Sequence, residues 1–164
     1  MKSEPLVSVI VPNYNHQKYL KERIDSILNQ DYNNYEIIIL DDHSSDCSVD
    51  VINQYKDHPK VSHICINEKN SGSTFIQWLK GINMSSGDYI WLAESDDKAD
   101  PRLISTLIDG LQNHPSASIA FCNSYLIDSD GMIMNKDIDK DDSCKAEYTF
   151  HAGQNFIEDM MVYG

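Results

Sequence analysis

Positively charged residues are scarce in this chain of 164 residues. It carries 13 Lys and Arg against 26 Asp and Glu, which gives a formal net charge of −13. Such a negative field repels phosphate backbones and anionic lipid head groups, so nucleic acids are not expected partners. A phosphorylated small molecule would be repelled as well. Its binding would need a cation or the N-terminus of a helix to reverse the local sign of the field.

Long apolar runs and paired cysteines are also missing. No run approaches the ~20 residues that span a bilayer, and the N-terminal apolar stretch is too short for a signal peptide. The four cysteines form no CxxC pair, which is typical of free thiols. We therefore expect no transmembrane segment in this chain and a cytoplasmic location. Any attachment to the inner face of the membrane would come from regions outside this sequence.

Glycine-rich phosphate loops are absent too. Neither GxGxxG nor GxxxxGK[ST] occurs, which removes the backbone cradle of dinucleotide-binding and P-loop proteins. Apolar runs of strand length are present instead, each bounded by polar residues. Pro12 is expected to end the first of them, and residues 88–93 are expected to be buried on both faces. The predicted strands are residues 6–11, 36–40, 61–66, 88–93 and 119–127, followed by a turn at 129–131 and a short return strand.

Amphipathic segments alternate with these strands. The predicted helices are residues 20–28, a segment capped by Ser45 or Ser48, and residues 73–84, 102–113 and 153–162. In the third helix, Phe75, Ile76, Leu79 and Ile82 repeat at helical spacing and are expected in the core. The alternation predicts one α/β domain over residues 1–164, Rossmann-like, with a mostly parallel central sheet and helices on both faces.

Two acidic clusters follow predicted strands. Asp41 and Asp42 follow one strand, and Glu94, Asp96 and Asp97 follow another. Because ligands bind outside the carboxyl ends of parallel strands, we expect both clusters at one edge of the sheet. Carboxylates without Cys or His beside them suit Mg²⁺ or Mn²⁺, and such a metal could hold a diphosphate. Both clusters also have an interpretation without a ligand. Asp42 could only cap the DHSSD turn, and Asp96 and Asp97 could lie in a solvated loop.

Four motifs in order carry a family resemblance: VSVIVPNYN, ILDDHSSD, NSGS and GDYIWLAESDD. Together they resemble inverting family 2 glycosyltransferases of the GT-A fold over about residues 6 to 128. The resemblance implies a nucleotide-diphosphate-sugar donor, a UDP-sugar first, a divalent Mn²⁺ or Mg²⁺, and transfer with inversion to a glycan or lipid-linked acceptor.

The resemblance also implies roles for individual residues. Pro12, Tyr14 and Asn15 match the loop against the nucleoside, and Asn70 and Gly72 match a loop near the nucleotide. Asp42, with Asp41 as the second candidate, matches the acid that hydrogen-bonds the base. Asp97 matches the metal ligand and Asp96 the acid nearer the ribose or sugar. Glu94 stands where the family usually has Asp and is a further metal candidate.

Two departures from the family pattern are visible. The helix after NSG lacks the family's Arg, and Gln77 or Lys80 would have to substitute for it near the donor. The second departure concerns the general base, which the family places well downstream of the acidic motif. Glu158 and Asp159 are candidates, but their apolar neighbours favour an exposed helix face. We therefore expect the base beyond Gly164 and the chain to be a donor-binding part, truncated before the acceptor half.

Other functions remain open at this point. A sugar-phosphate nucleotidyltransferase would need a Gly-rich basic loop where this chain has PNYNHQ. A donor-binding module without a base has the same motifs as a truncated enzyme. A receiver-type signalling domain expects its acidic pair after the first strand, and that pair is missing. The six His show no zinc-like spacing, and His16 and His43 are interpreted as polar loop residues unless they line the site.

Overall fold

The computed structural model describes residues 4–135. The predicted final helix at 153–162 lies outside these residues. The chain divides into two compact units, Met1–Ser105 and Thr106–Gly164. Within the described residues, no helix is long and apolar enough to cross a membrane.

Ten elements follow one another in the described part of the chain. They are β1 Val7–Asn13, α1 Gln17–Leu28, β2 Tyr35–Asp41, α2 Ser48–Asn53, β3 Val61–Ile66, α3 Thr74–Met84, β4 Tyr89–Leu92, α4 Leu103–Asn113, β5 Leu126–Ile127 and β6 Ile133–Asn135. The alternation predicted from the sequence is confirmed from β1 to α4. The α/β fold with a parallel central sheet is confirmed with it.

The central sheet of the first unit has the strand order β3-β2-β1-β4, and every pair is parallel. Right-handed crossovers place α1 and α2 on one face, because the chain moves from β1 to β3 in one direction. The chain then returns across the sheet to β4, which places α3 on the other face. Ile10, Ile38 and Leu40 are fully buried beneath α3, with Met84 packed against them.

Strand β1 continues to Asn13, although Pro12 was expected to end it. Pro12 lies in register with Leu40 of β2. The carbonyl of Ile10 accepts a hydrogen bond from the N–H of Ala93, which follows β4. The carbonyl of Asn13 accepts one from the N–H of Asp42, which follows β2. Successive residues of a strand direct their backbone groups to opposite sides, so the nitrogen of Pro12, which carries no hydrogen, faces β4. The pairing of β1 with β4 has already ended at Ile10. The proline therefore removes no ladder hydrogen bond, and the strand prediction that ended at residue 11 was too short.

Helix α3 turns a different face to the sheet than its apolar pattern predicts. Phe75, Ile76, Leu79 and Ile82 are all exposed, with Leu79 at 61%. Gln77 and Gly81 are the buried positions of this helix. A Cβ built at Gly81 would lie 2.4 Å from Cγ2 of Ile10, so the glycine allows the helix to approach β1 closely. The prediction of an apolar core face was wrong, because close approach decided which side faces the sheet.

Three smaller predictions also need correction. Strand β4 is only half-buried, and Ile90 is 42% exposed, because among the described residues β4 pairs on one side only, with β1. The fifth strand, predicted at 119–127, is limited to β5, which pairs antiparallel with β6 in a separate sheet. Helix α2 is preceded by Cys47, not capped by Ser45 or Ser48, and its cap residue makes no side-chain hydrogen bond.

Candidate functional site

A cleft of about 370 Å³ opens at the carboxyl ends of β1, β2 and β4. Six of the predicted substrate-binding residues line it: Pro12, Tyr14, Asp42, Asn70, Gly72 and Gln77. Glu94, predicted as a metal candidate, lines it as well. The sheet edge thus joins residues that are more than 80 positions apart in the sequence, as expected for parallel strands.

Two other predicted substrate residues support the cleft from behind. Asn15 has a φ of 57°, and its Oδ1 accepts a 2.7 Å hydrogen bond from the N–H of Ser45. Asp41 is fully buried and accepts from Nδ2 of Asn13 at 2.7 Å and from Oγ of Ser44 at 2.6 Å. Neither residue lines the cleft. Their contacts tie the loop after β1 to the loop after β2.

The carboxylate of Asp42 has four hydrogen-bond donors around it. Oδ1 accepts from Nδ2 of Asn67 at 2.6 Å, from the N–H of Ser71 at 2.9 Å and from Nε2 of Gln77 at 2.9 Å. Oδ2 accepts from Oγ of Ser71 at 2.7 Å and from no other donor among the described residues. With one donor against three on Oδ1, Oδ2 keeps an acceptor position.

The charge state of Asp42 follows from this network. Burial alone would raise the pKa of Asp42, but the hydrogen bonds from Ser71 and Asn67 outweigh it and hold the pKa below its usual value. Asp42 is therefore ionised at neutral pH and can only accept hydrogen bonds. This fixes the orientation of the Gln77 amide, because only Nε2 can face a carboxylate.

Two buried acceptors beside the cleft have no partner among the described residues. They are Oε1 of Gln77 and Oδ1 of Asn13, and both residues line the cleft and are 2% exposed. An unsatisfied buried polar group costs about 1–3 kcal/mol. Native proteins retain such groups where a ligand or an ordered water supplies the missing donor. An ordered water or a polar ligand would supply the missing donor at each of these two atoms.

Glu94 enters the cleft from the end of β4. Its Oε1 accepts a 2.7 Å hydrogen bond from Nε1 of Trp78 in α3. Burial raises the pKa of Glu94, and the charges of Asp96 and Asp97 raise it further, while the Trp78 bond opposes them. Trp78 thus holds the first acid of the cluster in place. This hydrogen bond between Trp78 and Glu94 was not predicted from the sequence.

Asp96 and Asp97 are exposed on the turn that follows β4, where the N–H of Asp97 donates to the carbonyl of Glu94. No three metal-binding side chains converge within residues 4–135. The donor set nevertheless fits Mg²⁺ or Mn²⁺, because such ions use one or two carboxylates and take their other ligands from water and substrate phosphates. A metal at this turn would therefore need the diphosphate to complete its coordination.

Arg23 of α1 provides a buried positive charge near these acids. It is 3% exposed, and its guanidinium lies 5.0 Å from the centroid of the Trp91 ring. Burial lowers the pKa of Arg23 to about 10, against the attraction of Asp97, Glu94 and Asp96. Arg23 was not predicted as a site residue from the sequence. The feature that could have indicated it is a charged residue next to Ile24, beside the apolar stripe of α1.

His16 and Ser95 also line the cleft. Nδ1 of His16 lies 2.8 Å from Oγ of Ser95. Of the two histidines for which the sequence left a place at the site open, His16 is the one that lines the cleft. The base candidates Glu158 and Asp159 lie outside the described residues.

The comparison with known families identifies the family of this chain. The family model of glycosyl transferase family 2 matches residues 8–159. The chain belongs to this family. The GT-A assignment made from the four motifs is confirmed, and the chain is a glycosyltransferase domain.

Curated relatives and solved structures agree with the assignment. An uncharacterized glycosyltransferase of Haemophilus influenzae is 38% identical over 123 residues, which is 73% of this chain and 49% of the relative. The putative teichuronic acid biosynthesis glycosyltransferase TuaG of Bacillus subtilis is 31% identical over 133 residues, 81% of this chain and 52% of TuaG. The crystal structure of S. aureus TarS 1–349 with UDP matches with a TM-score of 0.61 and 26% identity, covering 66% of this chain and 32% of TarS. The chain thus spans about half the length of the curated relatives it matches.

Proposed function

We propose that this chain binds the donor of an inverting glycosyltransferase, a nucleoside diphosphate sugar and first a UDP-sugar, together with Mn²⁺ or Mg²⁺. The acceptor is a glycan or a lipid-linked glycan. The observation that carries the proposal is the single cleft that brings Asp42, Gln77 and Glu94 together beside Asp96 and Asp97. The UDP complex of the similar TarS structure and the teichuronic acid assignment of TuaG support the donor and the polymer class.

The nucleobase is assigned to the Asp42 end of the cleft. The remaining lone pair on Oδ2 of Asp42 suits an imide N–H such as that of uracil. The exposed ring of Tyr14, with Pro12 beside it, offers an apolar surface for the nucleoside. Asn70 and Gly72 line the same end of the cleft.

The diphosphate is assigned to the acidic turn after β4. Asp97 would hold the metal, with Asp96 as a second ligand or a partner of the ribose. The bound metal would supply charge neutralisation for the departing diphosphate. Glu94, which accepts a hydrogen bond from Trp78, is assigned to orient the donor from inside the cleft.

The proposed reaction class is the one that the resemblance to inverting family 2 enzymes implies. An acceptor hydroxyl attacks the anomeric carbon from the face opposite the diphosphate, the bond to the diphosphate breaks, and the configuration inverts. A general base must take the proton of the hydroxyl. That base is assigned to the part of the relatives that this chain does not span, with Glu158 and Asp159 as candidates within the chain.

Calorimetry tests the donor site directly. UDP is titrated into the 164-residue chain with Mn²⁺ and again with EDTA, and the pair is repeated with Asp97→Ala. We expect binding that requires Mn²⁺ and is lost in the variant. Asp57→Ala, an exposed acid outside the cleft, is the control and should bind as the wild type does. If UDP, GDP, CDP and dTDP all fail to bind with metal present, the proposal is wrong.

The coverage of the relatives favours one second candidate. Because the chain spans about half of their length, donor binding without transfer is a separate function to consider. Turnover of a UDP-sugar by the 164-residue chain would exclude it. Metal-dependent binding with no turnover, by this chain and by a longer protein containing it, would favour it.

A further inference from the structure

We infer that His16 binds the diphosphate of the donor, an inference that rests on the proposed function. Within the described residues, none of the side chains that line the cleft is Lys or Arg, in a chain whose formal net charge is −13. A diphosphate therefore needs donors other than the usual basic side chains. His16 is the one lining residue with a ring N–H to offer.

The backbone of His16 is held firmly at the start of α1. Its carbonyl accepts from the N–H of Tyr19 at 2.9 Å and of Leu20 at 3.0 Å. Its Nδ1 lies 2.8 Å from Oγ of Ser95, a buried residue between Glu94 and Asp96. The ring is thus fixed at one end by the helix and at one edge by the acidic turn, the segment to which the diphosphate is assigned.

The Ser95 contact determines what the other ring nitrogen can do. When the hydroxyl of Ser95 donates to Nδ1, the proton of a neutral imidazole is on Nε2. With Nδ1 turned to Ser95, Nε2 is the ring nitrogen that His16 has left to offer a ligand in the cleft it lines. A phosphate oxygen is a charged acceptor, and hydrogen bonds to such acceptors are the stronger kind. The unpartnered acceptors of Asn13 and Gln77 need donors, so they suit the hydroxyl or N–H groups of the nucleoside or sugar and not the diphosphate.

Two substitutions separate the Ser95 contact from the diphosphate contact. His16→Asn keeps a polar atom near Nδ1 and removes everything at Nε2. His16→Gln places an amide N–H near the position of Nε2. In calorimetry with Mn²⁺, we expect UDP to bind about tenfold more weakly to His16→Asn and within about threefold of wild type to His16→Gln. His63→Asn, the same change on exposed β3, should have no effect.

Nitrogen NMR of the wild-type chain provides a second readout that does not depend on folding of a variant. With Mg²⁺ in place of the paramagnetic Mn²⁺, UDP should shift the Nε2 signal of His16, and uridine at the same saturation should not. The inference is overturned if His16→Asn binds UDP as the wild type does, or if UDP leaves the Nε2 signal in place. If the wild type binds no nucleotide at all, it is the proposed function that fails.

Discussion

Nε1 of Trp78 donates a 2.7 Å hydrogen bond to Oε1 of Glu94, and this bond joins α3 to the end of β4. Phe75 packs edge-on against Trp78, with 5.0 Å between ring centroids. The carboxyl of Glu94 is thereby fixed from the helix side, while Asp96 and Asp97 are exposed on the following turn. The three acids of the cluster are consequently not equivalent.

Replacement of Trp78 by Phe should destabilise the fold. The change removes the N–H and part of the ring packing, and we expect loss of the hydrogen bond alone to lower the free energy of unfolding by about 1 kcal/mol in urea denaturation. The control is the same change in a Glu94→Ala background, where no acceptor remains and the cost should be smaller by that amount. An equal cost in both backgrounds would show that the hydrogen bond contributes nothing.

Replacement of Gly81 by Ala should destabilise the packing of α3 on the sheet. The new methyl group would lie 2.4 Å from Cγ2 of Ile10, and overpacking of this kind costs about 1–3 kcal/mol. The better helix propensity of Ala offsets at most about 1 kcal/mol. Leu79→Ala, on the exposed face, should change the free energy of unfolding by less than about 0.5 kcal/mol. A larger loss for Leu79→Ala than for Gly81→Ala would show that α3 packs through its apolar face.

Glu36 should make the fold sensitive to acid. Burial raises the pKa of Glu36, but hydrogen bonds from Ser8 and Ser86 outweigh it, so the pKa lies below the ordinary value of 4.5. A depressed carboxyl pKa contributes stability above the unfolded-state pKa and loses it as the pH falls through the folded-state pKa.

The free energy of unfolding should therefore decrease from about pH 5 downwards in the wild type and decrease less in Glu36→Gln. Urea denaturation at pH 6, 4 and 3 measures both curves. Glu22→Gln, an exposed acid on α1, should follow the wild type. Parallel curves for Glu36→Gln and wild type would contradict the prediction.

Replacement of Arg23 by Met should strengthen the response of the chain to metal. The positive charge of Arg23 is felt by Asp97, Glu94 and Asp96, and its removal leaves those carboxylates more attractive to a cation. We expect Mn²⁺ together with UDP to raise the melting temperature of Arg23→Met by more than the pair raises that of the wild type. Lys21→Met, which removes an exposed charge from the same helix, should respond as the wild type does. A smaller metal response in Arg23→Met would show that the guanidinium assists the metal instead.

The sequence predicted the main elements and the edge of the sheet that carries the site. Strand β3 was predicted at the same bounds as observed, because its apolar residues are bounded by polar turns on both sides. The joining of Asp42 and Glu94 in one cleft followed from a general property of parallel sheets and needed no side-chain detail.

The remaining features depend on contacts between elements that no local pattern specifies. Asp41 and Asp42 are adjacent in sequence, yet Asp41 is bonded to Asn13 behind the cleft and Asp42 lines it. The burial of Gln77 on α3 was hidden by a stronger apolar stripe on the opposite side. Arg23 could be recognised only once α1 was packed near the acidic turn.

The strand order has a consequence for the way this chain must fold. The central strand β1 pairs with β4, and the hydrogen bond from Leu6 to Asp88 spans 82 positions. Until β4 has been synthesised, one edge of β1 has no partner from the parallel sheet and presents unpaired backbone groups. Closing so long a loop is slow compared with local helix formation. A nascent chain that ends before Leu92 would therefore expose a strongly apolar strand edge, the kind of surface that chaperones bind and that aggregates form on.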